Sequence, residues 1–539
     1  MSHLLFRHIS FLCLMLALCG AARAQPATGS QEPASARFDI FEYVVEGNSV
    51  LPAEAIERAV YPYLGERRNA DDVNKAAQAL EKAYQDAGYL TVAVGIPEQA
   101  VTTGVVTLQV TEGRVERLRV TGAEYTLPSR VREQTPALAE GEVPNFSDVQ
   151  ADLGRVGRNA DLRVTPLLQA GRTPGSVVVE LQLEDSFPLH GSVELSNKRS
   201  ADTDTGRLEA SIRYDNLWQR RHSIGLSYFV VPSERDQIEV WGLNYAVPLE
   251  NSFVAGFFAR SNSNIPTLFD TTSLGRGDVI GLRWIRPLPT RTFDINHTLS
   301  LGLDWKDNEQ DTVGIAGTTL TLSQPVKYWL MSAQYGLTVP YASGARLRFS
   351  GTVNAGAAGM NERTIDCNGI RVDQFDCRRP GATADFFVAR FELEAALPLG
   401  AGWGLGARAD IQRSNDLLIN SEQFSAGGFD SVRGYLESER LGDEGERVRA
   451  ELLTPQWQPF DGYAMRGLMF YDWAGLRIRQ PFVGQDGRAS LEATGLGIRM
   501  QAPRGFRLDA DWALALRDGA AGRTEKGDSR LLVRLGYEF

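Results

Sequence analysis

The segment TGRLEASIRYDN, residues 205–216, alternates between apolar and polar side chains over most of its length. The apolar members of this alternation would share one face of an extended strand: Leu208, Ala210, Ile212 and Tyr214. The polar members would share the other face: Glu209, Ser211, Arg213 and Asp215. A strand with one apolar and one charged face suits a transmembrane barrel, whose exterior meets lipid and whose interior is wet.

The same pattern continues to the carboxyl terminus, where LLVRLGYEF, residues 531–539, alternates in the same way. Sixteen such segments begin near residues 189, 205, 221, 236, 251, 276, 293, 325, 345, 384, 403, 446, 464, 490, 505 and 529. Short connections such as APRG, residues 502–505, alternate with long ones, as in outer-membrane barrels. A soluble sandwich is the rival, but its dry core would not accept the inward charges. We predict a transmembrane β-barrel of sixteen antiparallel strands over residues 187–539.

The chain before the barrel mixes strands and helices in an order that occurs twice. Residues 38–112 read as strand, helix, helix, strand, strand, and residues 113–186 read the same way. In DDVNKAAQALEKAYQDAG, residues 71–88, the apolar residues fall on one helical face and Gly88 ends the helix. We predict two small α+β domains, β-α-α-β-β. The outer strands of such sheets can accept an extended peptide, although the repeats could also serve only as spacers.

The amino terminus predicts export. Residues 1–24 combine a basic start, the apolar run FLCLMLALCG and Ala22 and Ala24 at the cleavage positions, which indicates a signal peptide rather than an uncleaved anchor. Residues 25–37 form a short linker. No later run is long and apolar enough for a helical inner-membrane protein. The formal charge is −11.

Two cysteines remain after signal removal, Cys367 and Cys377. In an exported protein a close pair of this kind predicts a disulfide. A metal site is disfavoured because the spacing does not fit a zinc knuckle and no histidine lies nearby, so we expect no metal and no cofactor.

Enzymatic and nucleic-acid functions find little support. The three histidines of the mature chain, His190, His222 and His297, are scattered, and no metalloprotease, nucleophile-elbow or phosphate-loop motif is present. A hydrolase with its site on the barrel is the remaining enzymatic alternative. No basic patch of the kind that binds nucleic acid occurs. We expect no catalytic residues and no nucleic-acid partner.

The longest connection, about residues 414–446, contains GGFDSVRGY, residues 427–435. Its glycines let the backbone turn tightly and approach a wall. In MRGLMFYDWAG, residues 465–475, alternation turns Phe470 and Asp472 inward. A carboxylate inside a barrel needs a partner, and Arg433 can supply a bidentate one. The alternative is a solvated surface loop with an incidental arginine.

With these features the chain resembles the transporters of two-partner secretion (TpsB-type), the haemolysin-activator and filamentous-haemagglutinin-transporter group. The resemblance covers nearly the whole mature chain: a signal peptide, two polypeptide-transport-associated (POTRA) repeats, a sixteen-strand barrel and a terminal Phe539. The residues Val432, Arg433, Gly434 and Tyr435 match the VRGY motif of that family's sixth extracellular loop. Phe470, Asp472 and Gly475 match its F-x-D-x-G strand motif, with one extra residue before the glycine.

The resemblance implies the arrangement of the site. The sixth loop would fold back into the lumen, where Arg433 would meet Asp472 on the barrel wall. Tyr537 and Phe539 would form a carboxy-terminal barrel-assembly signal, read by the barrel assembly machinery during biogenesis. The barrel would lie in outer-membrane lipid with its POTRA domains in the periplasm. Some family members carry a plug helix before the first POTRA domain, and residues 25–37, with two prolines and no apolar face, predict none here.

The resemblance also implies a task. An unfolded exoprotein would dock through its amino-terminal secretion domain on the POTRA pair and leave through the barrel without ATP. The nearest alternative is an insertase of the same superfamily, which assembles other barrel proteins. A passive porin or receptor is a third class, but a porin would not need about 150 residues of periplasmic domain.

Overall fold

The computed structural model describes residues 37–539, apart from 158–160, 202, 263–275, 291–294, 309–310, 314–320, 368, 483 and 521. The predicted signal peptide, residues 1–24, and the linker before Arg37, with its predicted lack of a plug helix, lie outside the described residues. The chain forms two compact units, and the first contains the whole described part of the first repeat. None of the described helices combines the length and the apolar character needed to cross a membrane.

The first repeat contains a three-stranded sheet and two helices. Its elements are β1 (Phe38–Ile40), β2 (Glu42–Glu46), α1 (Ala53–Val60), β3 (Gly65–Arg68), α2 (Ala70–Asp86), β4 (Val92–Gly95) and β5 (Val105–Glu112). The sheet order is β2-β5-β4, with β5 parallel to β2 and antiparallel to β4. The helix α2 begins with a capping box between Asn69 and Asp72, which satisfies two backbone amides. Its apolar face is buried against the sheet.

The predicted element order is present, with one short strand added. The stretch predicted as a single first strand divides at Phe41 into β1 and β2, and β1 pairs with β3 in a separate two-stranded sheet. The amides of Phe41 and Glu42 both donate to the carbonyl of Gly104, which interrupts regular pairing there. The strand β3 has no apolar alternation, so a hydrophobic pattern could not reveal it.

The second repeat has the same plan. Its elements are β6 (Arg114–Thr121), α3 (Pro128–Glu133), α4 (Phe146–Val156), β7 (Leu162–Ala170) and β8 (Ser176–Asp185). The sheet order, β6-β8-β7, again places the last strand between the first and the middle one. Two consecutive segments with one topology are an internal repeat in structure as well as in sequence.

The remainder of the chain forms a closed antiparallel barrel of sixteen strands. The first eight strands are β9 (Leu189–Ser196), β10 (Arg207–Leu217), β11 (His222–Val230), β12 (Glu239–Pro248), β13 (Phe253–Ser261), β14 (Gly277–Pro287), β15 (Asn296–Asn308) and β18 (Val326–Pro340). The other eight are β19 (Arg346–Ala355), β22 (Phe387–Gly400), β23 (Trp403–Ser414), β26 (Glu444–Leu453), β27 (Ala464–Arg477), β28 (Arg488–Gln501), β29 (Phe506–Ala515) and β30 (Ser529–Glu538).

Three short hairpins and two short helices lie in the long connections: β16 (Asp311–Val313) with β17 (Thr321–Ser323), β20 (Thr364–Cys367) with β21 (Ile370–Asp373), β24 (Phe424–Ala426) with β25 (Arg440–Gly442), α5 (Ala358–Asn361) and α6 (Gln374–Arg378). All sixteen barrel strands begin within three residues of the predicted starts. The strand prediction is therefore confirmed.

The faces of the barrel strands follow the alternation. Large apolar side chains such as Ile212, Leu226 and Leu243 remain exposed on the barrel surface. On the opposite, inward face of the barrel strands, carboxylates including Asp410, Asp472 and Asp511 are buried. Closure between β30 and β9 pairs five residues, and backbone hydrogen bonds of 3.0 Å in both directions join Phe539 to Gly191. An apolar exterior on a closed, edge-free sheet is the condition for a barrel in lipid.

Candidate functional site

The connection between the eleventh and twelfth barrel strands, residues 415–443, is the sixth loop. It contains the hairpin of β24 and β25, and its tip carries the VRGY stretch. The tip is buried: the exposed fraction is 0% for Val432 and Arg433 and 1% for Tyr435. Its contacts are to side chains and backbone of the barrel strands, so this loop is packed against the barrel's inner wall.

Arg433 binds Asp472 of β27 with both ends of its guanidinium fork. The Nε donates to Asp472 Oδ2 at 2.7 Å and Nη2 donates to Oδ1 at 2.8 Å. The backbone amide of Arg433 donates to the same Oδ2 at 3.2 Å. Both side chains are fully buried. A bidentate pair of this kind fixes orientation as well as charge.

Two further carboxylates and one ring complete the arrangement, and sequence reasoning missed the carboxylates. Arg433 Nη1 lies 2.7 Å from Glu451 Oε1 and 3.2 Å from Asp511 Oδ2. The guanidinium carbon stands 3.4 Å from the centroid of the Phe470 ring, a cation–π contact. We call Arg433, Asp472, Glu451 and Asp511 the loop anchor.

The loop anchor is balanced in charge by two more arginines. Arg499 Nη2 donates to Asp511 Oδ2 at 2.8 Å, and Arg449 Nε lies 3.5 Å from Asp472 Oδ1. Three carboxylates therefore meet three guanidinium groups. A buried charge is tolerated only when it is paired, so the set is stable as a whole and sensitive to the loss of one member.

The other residues of VRGY position the tip. Val432 belongs to one buried apolar cluster with Tyr435, Ala474 and Ala493. Gly434 has a φ of 92°, in the left-handed region that favours glycine. The hydroxyl of Tyr435 lies 2.9 Å from the carbonyl oxygen of Glu492 and 2.7 Å from that of Arg517.

Gly475, the last residue of the strand motif, is not brought to Arg433. It belongs to β27 and pairs with Ser490 of β28. By alternation it shares the face of Tyr471 and Trp473, opposite to Phe470 and Asp472, and a Cβ placed on it would lie 3.0 Å from the Trp473 ring. The extra residue before this glycine therefore puts it on the outer side of the strand.

Three more ion pairs, in addition to those of the loop anchor, hold the sixth loop to the barrel strands and to Lys198. Arg534 of β30 donates to both oxygens of Asp430, at 2.7 and 2.9 Å, and Lys198 Nζ lies 3.0 Å from Asp430 Oδ2. Lys306 Nζ donates to Glu422 Oε1 at 2.6 Å, with both side chains buried. The sequence showed only charged residues at these positions, since cross-strand neighbours depend on register.

The histidine that sequence reasoning regarded as scattered, His190, meets two carboxylates. Its Nε2 lies 2.9 Å from Asp161 Oδ1 and 3.6 Å from Asp215 Oδ2. Arg213 Nε contacts both oxygens of Asp215 at 2.9 and 2.8 Å, so arginine supplies a positive charge beside that carboxylate. The cluster lies at the start of the barrel and contains the Arg213–Asp215 ion pair.

The Sγ atoms of Cys367 and Cys377 are bonded to each other in the fifth loop, residues 356–386. The bridge joins β20 to α6.

At the carboxyl terminus, the ring of Tyr537 lies 4.6 Å from that of Phe506 and 5.9 Å from that of Phe539. These aromatic side chains stand beside the closing strand pair.

A thiol count tests the disulfide. The unreduced, denatured mature protein is expected to contain no titratable thiol, because its two cysteines are bonded to each other. Two thiols should appear after treatment with a reductant. Measurement with a chromogenic disulfide reagent before and after reduction decides the matter, and two free thiols before reduction would refute the bridge.

A closed sixteen-strand barrel with an apolar exterior, two preceding α+β repeats and a lumenal loop defines an outer-membrane barrel of the POTRA-bearing class. Residues 38–113 match the POTRA domain, ShlB-type, and residues 175–500 match the family described as haemolysin secretion/activation protein ShlB/FhaC/HecB. The second match spans more than half of the chain. The chain belongs to this family of two-partner secretion transporters, which lie in the outer membrane with their POTRA domains in the periplasm.

Individual relatives agree with the family assignment. The chain is 25% identical to the outer membrane transporter CdiB of Escherichia coli over 460 residues, which cover 79% of this chain and 70% of the relative. The solved structure of CdiB from Escherichia coli has a TM-score of 0.61 and 19% identity, covering 96% of this chain and 93% of that one. BamA from Haemophilus ducreyi, lacking POTRA domains 1–3, has a TM-score of 0.54 and 14% identity, covering 94% and 100%. These two structural likenesses concern the fold alone.

Proposed function

We propose that this protein is the export pore for one secreted exoprotein, which it receives unfolded in the periplasm and releases at the cell surface without ATP. The observation that carries the proposal is the sixth loop held inside the barrel by a fully buried ion pair. A lumen filled by a separately anchored loop is suited to gating, because the loop can be displaced without breaking the hydrogen-bonded wall. A passive porin would not need the two α+β repeats that precede this barrel.

The two α+β repeats supply the receptor in this proposal. Strands β2 and β4 are the outer strands of the first sheet, and β6 and β7 are those of the second. Among these, β7 is the longest, and it leaves Leu167 and Leu168 exposed by 37% and 50%. An extended client segment that pairs with such a strand gains backbone hydrogen bonds whatever its sequence, while side-chain contacts supply selectivity. The secretion domain of the client is the partner of this surface.

The energy for export would come from the client. Among the described residues, and in the sequence as a whole, no phosphate-binding loop motif is present. Folding of the exoprotein at the surface removes it from the unfolded pool and makes the passage directional. Barrel-wall charges keep the path wet, so an unfolded chain finds little apolar surface on which to stop.

Comparison of the exported proteins tests this function against insertion of other barrel proteins. Deletion of the gene is expected to remove one large protein from the surface or the medium and to leave the barrel proteins of the outer membrane at their normal levels. Quantitative proteomics of both fractions, with a complemented strain as control, measures this. A broad fall in outer-membrane barrel proteins would instead assign the chain to the insertases.

A further inference from the structure

Arg379 holds three loops together at the end of the barrel opposite the short turns. It follows α6 directly in the fifth loop, and its own amide donates to the carbonyl of Phe375 at 2.9 Å. Its guanidinium binds both oxygens of Asp443, with 2.8 Å between Nη2 and Oδ2. It also donates to the carbonyl oxygens of Leu418, at 2.6 Å, and Arg479, at 2.8 Å.

Two of these partners are the two ends of the sixth loop. Leu418 follows the end of β23 and Asp443 immediately precedes β26. The carboxylate of Asp443 is fully buried and also accepts from the amides of Leu418, at 3.0 Å, and Arg479, at 2.7 Å. Burial alone would raise the pKa of Asp443, but the hydrogen bonds from Arg379 and these amides hold it below its ordinary value. The base of the sixth loop is therefore closed around one charged pair.

Apolar packing fixes the fifth-loop segment that presents Arg379. Phe375 of α6 is 1% exposed, and its ring lies 5.5 Å from that of Tyr328 and 5.9 Å from that of Phe386. Leu418 and Ile419 of the sixth loop belong to the same buried cluster. The helix α6 thus sits on the barrel wall and on the sixth loop together.

The disulfide restrains the same segment. Cys377 lies two residues before Arg379, and its bond to Cys367 ties α6 to the hairpin of β20 and β21. A covalent link of this kind lowers the number of conformations open to the loop when it is not docked. Arg379 is consequently presented by a braced segment rather than by a free chain.

We propose that Arg379 is a positioning residue for the sixth loop, which acts as the gate. Through Arg379, the fifth loop, restrained by its disulfide, binds both ends of the sixth loop. Release of the sixth loop from the lumen then requires the Arg379–Asp443 pair to loosen in addition to the loop anchor. The two buried arginine–aspartate pairs restrain the loop at its base and at its tip. This role of Arg379 rests on the gating function proposed above. It gives the fifth loop a task in holding the sixth loop rather than a task in binding the client.

Thiol labelling of the mature protein, residues 25–539, in lipid vesicles tests this role of Arg379 without any client, so its result does not depend on whether export occurs. Ser425 in β24 is half-buried, and the native cysteines are bonded to each other, which makes an engineered Ser425→Cys the reactive thiol. In that background, Arg379→Ala is expected to raise the rate of reaction with a membrane-impermeant maleimide by roughly tenfold, since buried charged hydrogen bonds are lost. Asp443→Asn should raise the rate in the same direction.

The neighbouring Arg378→Ala is the matched control, because Arg378 donates to the Gln324 carbonyl oxygen and not to the sixth loop. It should leave the labelling rate at the level of the parent. The double variant Cys367→Ser, Cys377→Ser should raise the rate by less than Arg379→Ala. Heat-modifiable migration on gels verifies that each barrel is folded. Equal rates for Arg379→Ala and the parent, equal increases for Arg378→Ala and Arg379→Ala, or no change in the double serine variant would overturn the proposal.

Discussion

Replacing Arg433 by alanine is expected to lower export to about a tenth of the normal level or less, while the barrel still assembles. The substitution leaves Asp472 and Asp511 buried without the guanidinium that faces both of them. Breaking a buried ion pair by removing one partner costs about 3–5 kcal/mol. Because every 1.4 kcal/mol is about tenfold in an equilibrium, the tip of the loop would leave its docked position in most molecules. Export would fail because the displaced tip, still held at the base of the loop by Arg379 and Asp443, lies in the path of the client.

A graded series makes this result specific. Arg433→Lys keeps the charge but loses the bidentate fork, so we expect it to retain intermediate export. Asp472→Ala should resemble Arg433→Ala, since it removes the other half of the pair. Arg413→Ala serves as the control, because Arg413 is half-exposed and contacts the half-exposed Glu446 rather than a buried carboxylate. The measurement is the amount of secreted client per folded barrel. Normal export by both Arg433→Ala and Asp472→Ala would show that the pair has no role in gating.

Removal of residues 38–185 is expected to leave a barrel that inserts and a strain that exports nothing. The barrel strands begin at Leu189 and close without help from the deleted sheets. The deleted segment contains both three-stranded sheets and therefore the four outer strands, β2, β4, β6 and β7, that we propose as docking sites for the client. We expect loss of export of more than about a hundredfold, because docking of the client becomes a weak bimolecular encounter with the bare lumen.

Heat-modifiability and surface proteolysis of the truncated protein measure its assembly, and immunoblotting of the medium measures export. Normal insertion together with loss of export is the predicted pair of results. Continued export by an inserted barrel would contradict the receptor role of the repeats. A second deletion, of residues 38–112 alone, shows whether the repeat that retains β7 supports any docking.

The barrel was predictable because lipid and water impose their pattern on every strand locally. In β10, Leu208 to Asp215 can be assigned to two faces without knowing any neighbour. The pairing of Arg433 with Asp472 followed from a glycine-rich loop and an inward carboxylate, together with the family motif. Each of these features lies within one short stretch of the sequence and can be recognised there.

Other parts of the site depend on the register among separate strands. Asp511 lies inward in β29 and Glu451 in β26, and only the closed sheet brings both to the guanidinium of Arg433. The Arg379–Asp443 pair similarly joins residues from two different loops. A shift of one residue in pairing would turn such side chains to the other face, so alternation alone could not select them.

The short strand β3 was not predicted for a different reason. Its pairing with β1 depends on backbone hydrogen bonds and on Asp39, whose carboxylate accepts from the amide of Arg67 at 2.8 Å. Arg67 also has a φ of 54°, in the left-handed region that residues other than glycine rarely adopt, so strand propensity does not favour a strand here. No buried apolar face marks this strand in the sequence.

A cryo-EM map of the full chain in a lipid nanodisc tests most directly whether the sixth loop occupies the lumen of its own closed barrel. We expect continuous density for residues 427–436 inside a sixteen-strand wall, with the Arg433 side chain against Asp472 and Asp511. Density for that loop above the rim, with an empty lumen, or an open sheet in place of the closed wall, would contradict it.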